Sequence, residues 1–191
     1  MYSGEHMSRP GLTLTHIGFY VQNLDKQVEF YTRILEFTET DRGELIGPSG
    51  KPMQLVFLSR DPEEHHQIVL IDGRPPGTDY SVINQVSMKA DSFGTLRRIY
   101  NNLQNAGIKE FETITHGNSI SIYARDPEGV RLEYYIYTPW YCTQPLRIPI
   151  DMSWDDETMW AKVEAHARSL PGFRPRSEWV AEMKKRMGIT D

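Results

Sequence analysis

The sequence predicts an α+β fold made of two tandem β-α-β-β-β modules and a C-terminal helical arm. Three features predict it: a strand-like run that occurs twice, an amphipathic helix after each occurrence, and a change of composition near residue 138. The modules cover residues 12–73 and 81–138 and form one domain over 12–138. An N-terminal tail covers 1–11, and the arm covers 139–191.

The first module opens with a strand over residues 14–21. A helix is predicted over 25–35, because apolar residues recur from Leu24 at the spacing of one helical face. Two further strand-like runs follow, over 53–58 and 66–71.

The second module repeats this order. A strand over 82–88 precedes a helix over 93–103, and Gly107 follows where such a helix would end. The last two strands cover 119–125 and 131–137. The segment Asp-Pro-Glu-Gly between them predicts a turn, since proline presets φ and glycine supplies a positive φ.

The arm begins with an aromatic stretch that prolines interrupt, which predicts an extended segment. Two helices are predicted after it, over 153–170 with Ser153 as N-cap and over 177–187. An arm of this kind packs on the core or on a partner subunit, and a lid over the site is the alternative. Packing is the favoured interpretation, and we expect a homodimer.

The composition argues against several classes of partner. A net charge of -5 and a pI near 5.7 argue against nucleic-acid binding. Cys142 is the only cysteine, so an internal disulfide is impossible and a reducing cytoplasm is the expected location. No apolar run approaches the roughly 20 residues that span a membrane, so no membrane partner is expected.

The repeat places ligand-type side chains at matching points. His16 and Gln85 are each in the first strand of their module and are expected on the same face. Glu133 lies in the last strand among apolar neighbours, where a buried carboxylate needs compensation. A bound cation would supply it, and a salt bridge to Arg131 or Arg125 is the alternative.

The paired modules, His16 near the start and the segment Arg-Asp-Pro-Glu-Gly-Val-Arg-Leu-Glu that ends at Glu133 resemble the vicinal oxygen chelate superfamily. That group includes glyoxalase I, fosfomycin-resistance thiol transferases, bleomycin-binding proteins and type I extradiol catechol dioxygenases. The resemblance covers residues 12–138. It implies a curled mixed sheet around a metal site, with His16, Gln85 and Glu133 as the metal ligands.

Further residues resemble the extradiol dioxygenases. The segment that starts His65-His66 is similar to the one that carries their active-site acid histidine, and His66 is the better match. His116 and Tyr123, which lies ten residues before Glu133, resemble the histidine and tyrosine that contact the catecholate. The resemblance therefore implies catalytic roles for His66, His116 and Tyr123, while structural roles in a turn or in the core stay open.

The function implied by this resemblance is extradiol ring cleavage of a catechol-type aromatic diol with O2. The implied cofactor is Fe(II), with Mn(II), Zn(II) or Ni(II) as alternatives. One departure stands out, because Gln85 occupies the place where a catechol dioxygenase has a histidine. Either Gln85 or His66 would complete the metal site.

Two other functions remain open at this point. One is a glyoxalase-like lyase or isomerase, although a glyoxalase proper places a metal-binding carboxylate in the last strand of each module. The other is a non-catalytic binding protein of the bleomycin-resistance type, in which the fold is kept and a small molecule is sequestered.

Overall fold

The computed structural model describes residues 12–47, 50–78 and 81–189 of the chain. The N-terminal tail predicted over 1–11 lies outside these residues. The described chain forms two compact units. We call them the module unit, with residues 15–47, 50–78, 81–112 and 122–135, and the arm unit, with residues 12–14, 113–121 and 136–189.

Both β-α-β-β-β modules are present, which confirms the predicted α+β fold class. The first consists of β1 (Ile17–Val21), α1 (Leu24–Glu29), a π-helical turn (Phe30–Ile34), β2 (Thr38–Ile46), β3 (Pro52–Ser59) and β4 (Ile68–Asp72). The second consists of β5 (Val86–Lys89), α2 (Phe93–Asn105), β6 (Phe111–Thr115), β7 (Ser119–Arg125) and β8 (Arg131–Tyr137).

The described part of the arm contains three short strands and two helices. They are β9 (Trp140–Tyr141), β10 (Ile148–Pro149), α3 (Asp156–Arg168), β11 (Arg174–Pro175) and α4 (Arg176–Met187). The N-cap of α3 is Asp155 and not the predicted Ser153, because the Asp155 side chain accepts the N–H of Thr158. Helix α3 buries Met159, Val163 and Ala167, whereas α4 has no buried residue.

The two modules share one strand topology. The four-stranded sheet has the order β1-β4-β3-β2, and the five-stranded sheet has the order β10-β6-β7-β8-β5. In each, the first strand of the module runs parallel to its last strand. This pairing brings residues at the start of a module beside residues near its end.

N-terminal caps and apolar faces explain where the helices form. The Ser92 side chain accepts the N–H of Thr95 and starts α2. The helix then buries one face, formed by Phe93, Leu96, Ile99 and Leu103. It ends before Gly107, which takes a φ of 77°. In the described part of the chain, no helix is long and apolar enough to cross a membrane.

Three predicted strands begin later than the sequence indicated. β1 begins directly after His16, β5 directly after Gln85, and β4 two residues after His66. These histidine and glutamine side chains therefore lie at strand entrances and not inside strands. Each strand begins where its hydrogen-bonded pairing with the neighbouring strand begins. The local pattern of apolar residues does not indicate where that pairing begins.

Polar contacts join the two modules inside the module unit. Gln27 Nε2 donates to Asp126 Oδ2 at 2.8 Å, and both side chains are buried. Glu128 accepts hydrogen bonds from the N–H groups of Gln22 and Asn23, each at 2.9 Å. The turn between β7 and β8 is thereby fixed to the first helix of the other module.

Candidate functional site

Glu133 is a buried carboxylate in the middle of β8, with 8% of its surface exposed. Its Oε2 accepts hydrogen bonds from Gln85 Nε2 at 2.8 Å and from Ser87 Oγ at 2.5 Å. Its Oε1 accepts the hydroxyl of Tyr123 at 2.7 Å. Neutral donors therefore compensate much of the cost of burying this charge.

Tyr123 lies on β7 with its ring buried. Burial raises the pKa of the Tyr123 phenol, and the hydrogen bond to Glu133 and the charge of that carboxylate raise it further. The guanidinium of Arg131 lies over the ring, 4.0 Å from its centroid, and also pairs with Glu112 at 3.4 Å. Tyr123 is therefore a protonated hydrogen-bond donor at neutral pH.

Two histidines meet at the entrance of the first module. The rings of His16 and His66 have centroids 4.4 Å apart, and His66 Nδ1 lies 2.9 Å from His65 Nδ1. His16 Nδ1 faces Thr15 Oγ1 at 3.0 Å. Partial burial, and then the neighbouring His16 and His65, lower the pKa of His66 below its usual value. His66 therefore stays neutral at pH 7 and is able to accept a proton.

His116 belongs to the arm unit, between β6 and β7. Its Nδ1 lies 2.5 Å from the carbonyl oxygen of Leu146, so this nitrogen carries a hydrogen and donates. Its backbone carbonyl accepts from Gln144 Nε2 at 2.6 Å. The catalytic role predicted for His116 stays a prediction.

Ser87 contacts Glu133, although the sequence analysis does not single it out. It lies directly opposite Glu133 in the parallel β5–β8 register. The available signal was its position two residues after Gln85, because residues two apart on a strand share a face.

A cavity of about 220 Å³ lies next to Tyr123. Charged and aromatic side chains contribute to its lining, which consists of Glu110, Phe111, Glu112, Tyr123, Ala124, Arg125 and Arg131. This volume is below the range of about 300–1,000 Å³ that holds drug-sized ligands, so it suits a small molecule.

The model of one protein family matches residues 13–134, and its description is Glyoxalase/Bleomycin resistance protein/Dioxygenase superfamily. The chain belongs to this superfamily. The match covers both modules and includes His16, His66, Gln85, Tyr123 and Glu133.

Two known proteins are similar to parts of this chain. Biphenyl-2,3-diol 1,2-dioxygenase 2 of Rhodococcus globerulus is 32% identical over 88 residues, which are 43% of this chain and 45% of that protein. The chain thus matches less than half the length of this curated relative. A glyoxalase/bleomycin resistance protein/dioxygenase domain from Frankia sp. EAN1pec is 23% identical, with a TM-score of 0.54 over 69% of this chain and 94% of that one. It supports the fold.

A fosfomycin resistance protein, FosX, from Listeria monocytogenes was crystallised with Mn(II) and a sulfate ion. It is 17% identical to this chain, and the match has a TM-score of 0.47 over 69% of this chain and 95% of that one.

The donor set of this superfamily member fits a divalent cation by chemistry, with one departure. Carboxylate, amide and imidazole groups at Glu133, Gln85 and His16 are ordinary ligands of such cations. Among residues 12–47, 50–78 and 81–189, however, no three His, Cys, Asp or Glu side chains form a group able to hold a metal. The two-histidine, one-carboxylate set of Fe(II) oxygenases is therefore not assembled there.

The strand registers show which residues of the two modules correspond. Ile17 pairs with Ile68 in the first module, and Val86 pairs with Leu132 in the second. His16 and Gln85 thus correspond, each directly before its first strand. By the same count the counterpart of Glu133 is Val69, so the first module supplies no carboxylate there.

Proposed function

We propose that this chain is a metal-dependent extradiol dioxygenase, which opens the ring of a catechol-type aromatic diol next to its hydroxyl groups with O2. The observation that carries the proposal is the convergence of Gln85 and Tyr123 on the buried carboxylate of Glu133, at 2.8 and 2.7 Å. Tyr123 and Glu133 come from β7 and β8, and Gln85 lies directly before β5, so the module unit brings three separate segments to one polar centre.

The metal would be held by His16, Gln85 and Glu133. Fe(II) is the proposed ion, and Mn(II), Zn(II) and Ni(II) are alternatives with the same ligands. When bound, the metal supplies a Lewis acid for the diol oxygens and a route for electrons from the ring to O2. Gln85 would turn its amide so that Oε1 and not Nε2 faces the site. Nδ1–H of His16 would donate to Thr15 Oγ1, which leaves Nε2 as the donor to the metal.

His66 is proposed as the acid and base of the reaction. Its lowered pKa keeps the imidazole neutral at pH 7, so it accepts a proton from a diol hydroxyl and later returns one. Its ring lies next to that of His16, which supports the proposal, because the base would then be beside the proposed metal ligand of the first module.

Tyr123 is proposed to donate a hydrogen bond to a diol oxygen. The raised pKa of Tyr123 keeps its hydroxyl as a donor, and its hydrogen bond to Glu133 fixes that carboxylate. A catalytic role for His116, whose Nδ1–H donates to the carbonyl of Leu146 within the arm unit, is a separate proposal.

Two further observations favour this reaction over a glyoxalase-like one. The relative from Rhodococcus globerulus has the name of a diol dioxygenase, although it matches over only 88 residues. The counterpart of Glu133 in the first module is Val69, whereas a glyoxalase proper places a carboxylate in each last strand. A four-ligand glyoxalase site is therefore disfavoured.

The test is direct. The protein is loaded with Fe(II) without oxygen, mixed with a panel of catechols and exposed to air. We expect a yellow ring-fission product and matching consumption of O2. Glu133→Gln should abolish both. The matched control is Glu44→Gln, because Glu44 also accepts a hydrogen bond from a glutamine amide, that of Gln54, but is exposed. This control should change neither the product nor the consumption of O2. Absence of product with every catechol would refute the proposal.

Gln85→His adds a second way to test the metal site. This change supplies the second imidazole of the set that Fe(II) oxygenases use, so Fe(II) should bind more tightly and turnover should rise. Equal or weaker Fe(II) binding would argue that Gln85 is not a ligand.

A binding protein of the bleomycin-resistance type is the second candidate. The hydrogen bonds from Gln85, Ser87 and Tyr123 to Glu133 favour it, because they satisfy the carboxylate without a cation. Calorimetry with the same catechols distinguishes the two functions, since a binding protein would bind a catechol without metal and without turnover.

We also propose a homodimer. Helix α4 has no buried residue within the chain, so much of its surface is available to a partner subunit. Light scattering after size-exclusion chromatography tests this, and a mass of one chain would refute it.

A further inference from the structure

Ser87 links two residues of the candidate metal site. Its hydroxyl donates to Glu133 Oε2 at 2.5 Å, and its Oγ accepts from Gln85 Nε2 at 3.1 Å. Gln85 Nε2 also donates to the same oxygen of Glu133, at 2.8 Å. The three side chains therefore form a closed triangle of hydrogen bonds.

The backbone fixes this triangle. Gln85 and Ser87 are two residues apart and face the same side, and Ser87 is the direct pairing partner of Glu133 between parallel strands β5 and β8. Ser87 is exposed, so water competes for its hydroxyl, yet the hydroxyl is directed at the buried carboxylate. A side chain with a different reach at position 87 would not close the triangle.

We propose that Ser87 is a positioning residue, which orients the amide of Gln85 and the carboxylate of Glu133 toward a divalent cation. This inference rests on the metal site of the proposed function. When Gln85 turns its Oε1 to the cation, its Nε2 gives up Glu133 and keeps Ser87 as acceptor. Ser87 continues to donate to Glu133, so both ligands stay aligned. Loss of a side chain that holds a metal ligand by a hydrogen bond typically lowers the metal affinity about 10–100-fold.

The experiment measures the affinity for Mn(II) by calorimetry on chelator-treated protein, without diol. Ser87→Ala should bind Mn(II) about tenfold more weakly than the wild type. Ser87→Thr keeps the hydroxyl and should stay close to the wild type. Ser121→Ala is the matched control, because the buried Ser121 hydroxyl has no hydrogen-bond partner among the described residues. It should leave the affinity unchanged.

Three results would overturn the inference. The first is that Ser87→Ala binds Mn(II) as tightly as the wild type or more tightly. The second is that Glu133→Gln does not abolish the Mn(II) binding of the wild type, or that the wild type does not bind Mn(II). The third is that Ser87→Ala lowers the melting temperature of the metal-free protein but does not lower its affinity for Mn(II). The last result would mark a purely structural role.

Failure of this inference and failure of the proposed function give different patterns. Ring cleavage by the wild type together with unchanged Mn(II) affinity in Ser87→Ala would refute the role of Ser87 alone. Weaker Mn(II) binding in Ser87→Ala, with no ring cleavage of any catechol, would support the role of Ser87 and refute the dioxygenase.

Discussion

Asp126, in the turn between β7 and β8, is a buried acid with several accepted hydrogen bonds. Oδ2 accepts from Gln27 Nε2, and Oδ1 accepts from the N–H groups of Glu128 and Val130. Burial raises the pKa of Asp126 although these hydrogen bonds oppose the rise. Gln27 Oε1 is buried without a hydrogen-bond partner in the described residues.

The loss of stability caused by replacing Asp126 should therefore depend strongly on the new side chain. Asp126→Ala leaves the Gln27 amide and two turn N–H groups unpaired and should lower the free energy of unfolding by about 3 kcal/mol. Asp126→Asn keeps an oxygen for the turn, and Gln27 can rotate so that its Oε1 accepts from the new amide, so the cost should stay below about 1 kcal/mol. Urea denaturation of both variants measures this, and equal costs would contradict it.

The difference in stability between the wild type and Asp126→Asn should depend on pH, and its sign follows from the raised pKa of Asp126. The folded state binds the Asp126 proton more tightly than the unfolded chain does, because its pKa is raised. The resulting stabilisation is complete below the ordinary pKa and is lost as the pH rises through the folded pKa. The stability of the wild type relative to Asp126→Asn should therefore fall with rising pH across that window and then stay constant.

The site residues differ in how far the sequence could predict them. Glu133 is predicted as a carboxylate among apolar neighbours in the last strand, and Tyr123 from its position ten residues earlier within the resemblance. Their side chains form a hydrogen bond of 2.7 Å. Ser87 was missed, because its contact with Glu133 depends on the register between β5 and β8. The register depends on how two strands pair, so the sequence of one strand does not determine it.

At the scale of elements, amphipathic segments were predictable and exposed ones were not. β7 and β8 have the predicted bounds, and α2 begins at the predicted residue. β2 (Thr38–Ile46) was not predicted, since all of its residues are exposed and no apolar alternation marks it. Its strand conformation comes from pairing with β3. The π-helical turn after α1 has no sequence signal of its own either.

The short connection between β6 and β7 depends on Gly117. Its φ is 74°, and a Cβ there would lie 3.0 Å from Cys142 Sγ and 3.2 Å from Leu146. Gly117→Ala should lower the free energy of unfolding by roughly 2–4 kcal/mol, because conformational strain and a steric clash add. Denaturant unfolding measures the loss.

Gly129 is the matched control for that substitution. It also has a positive φ, 84°, but nothing lies within 4 Å of an added Cβ. Gly129→Ala should therefore cost only about 1–2 kcal/mol, the conformational part. If the two alanine variants were equally unstable, the contact of Gly117 with Cys142 would have no energetic importance.

For the whole molecule, the repeat of the β-α-β-β-β order was the most informative part of the sequence. Both sheets place the first strand of a module parallel to its last, so the equivalence of His16 and Gln85 holds in the structure. The last strands differ at one point, because the register makes Val69 of the first module the counterpart of Glu133. The candidate ligand residues are therefore distributed asymmetrically between the modules.

The two arm helices should differ in their contribution to stability. Helix α3 buries Met159, Val163 and Ala167, and burial of such side chains stabilises by roughly 5 kcal/mol in sum. Helix α4 has no buried residue, and its contacts are of the surface type, such as the Tyr141–Trp179 stack. A chain that ends at Pro175 should therefore unfold cooperatively and lose only about 1–2 kcal/mol.

A chain that ends at Asp151 lacks α3 as well and should lose most of its stability, which is typically about 5–15 kcal/mol for a whole protein. Thermal unfolding of both truncated chains, followed by circular dichroism, measures the difference. If removal of α4 alone were as damaging as removal of both helices, α4 would have to stabilise the fold by contacts outside the single chain. The partner subunit proposed for α4 would supply them, and the loss would then grow on dilution of the full-length protein.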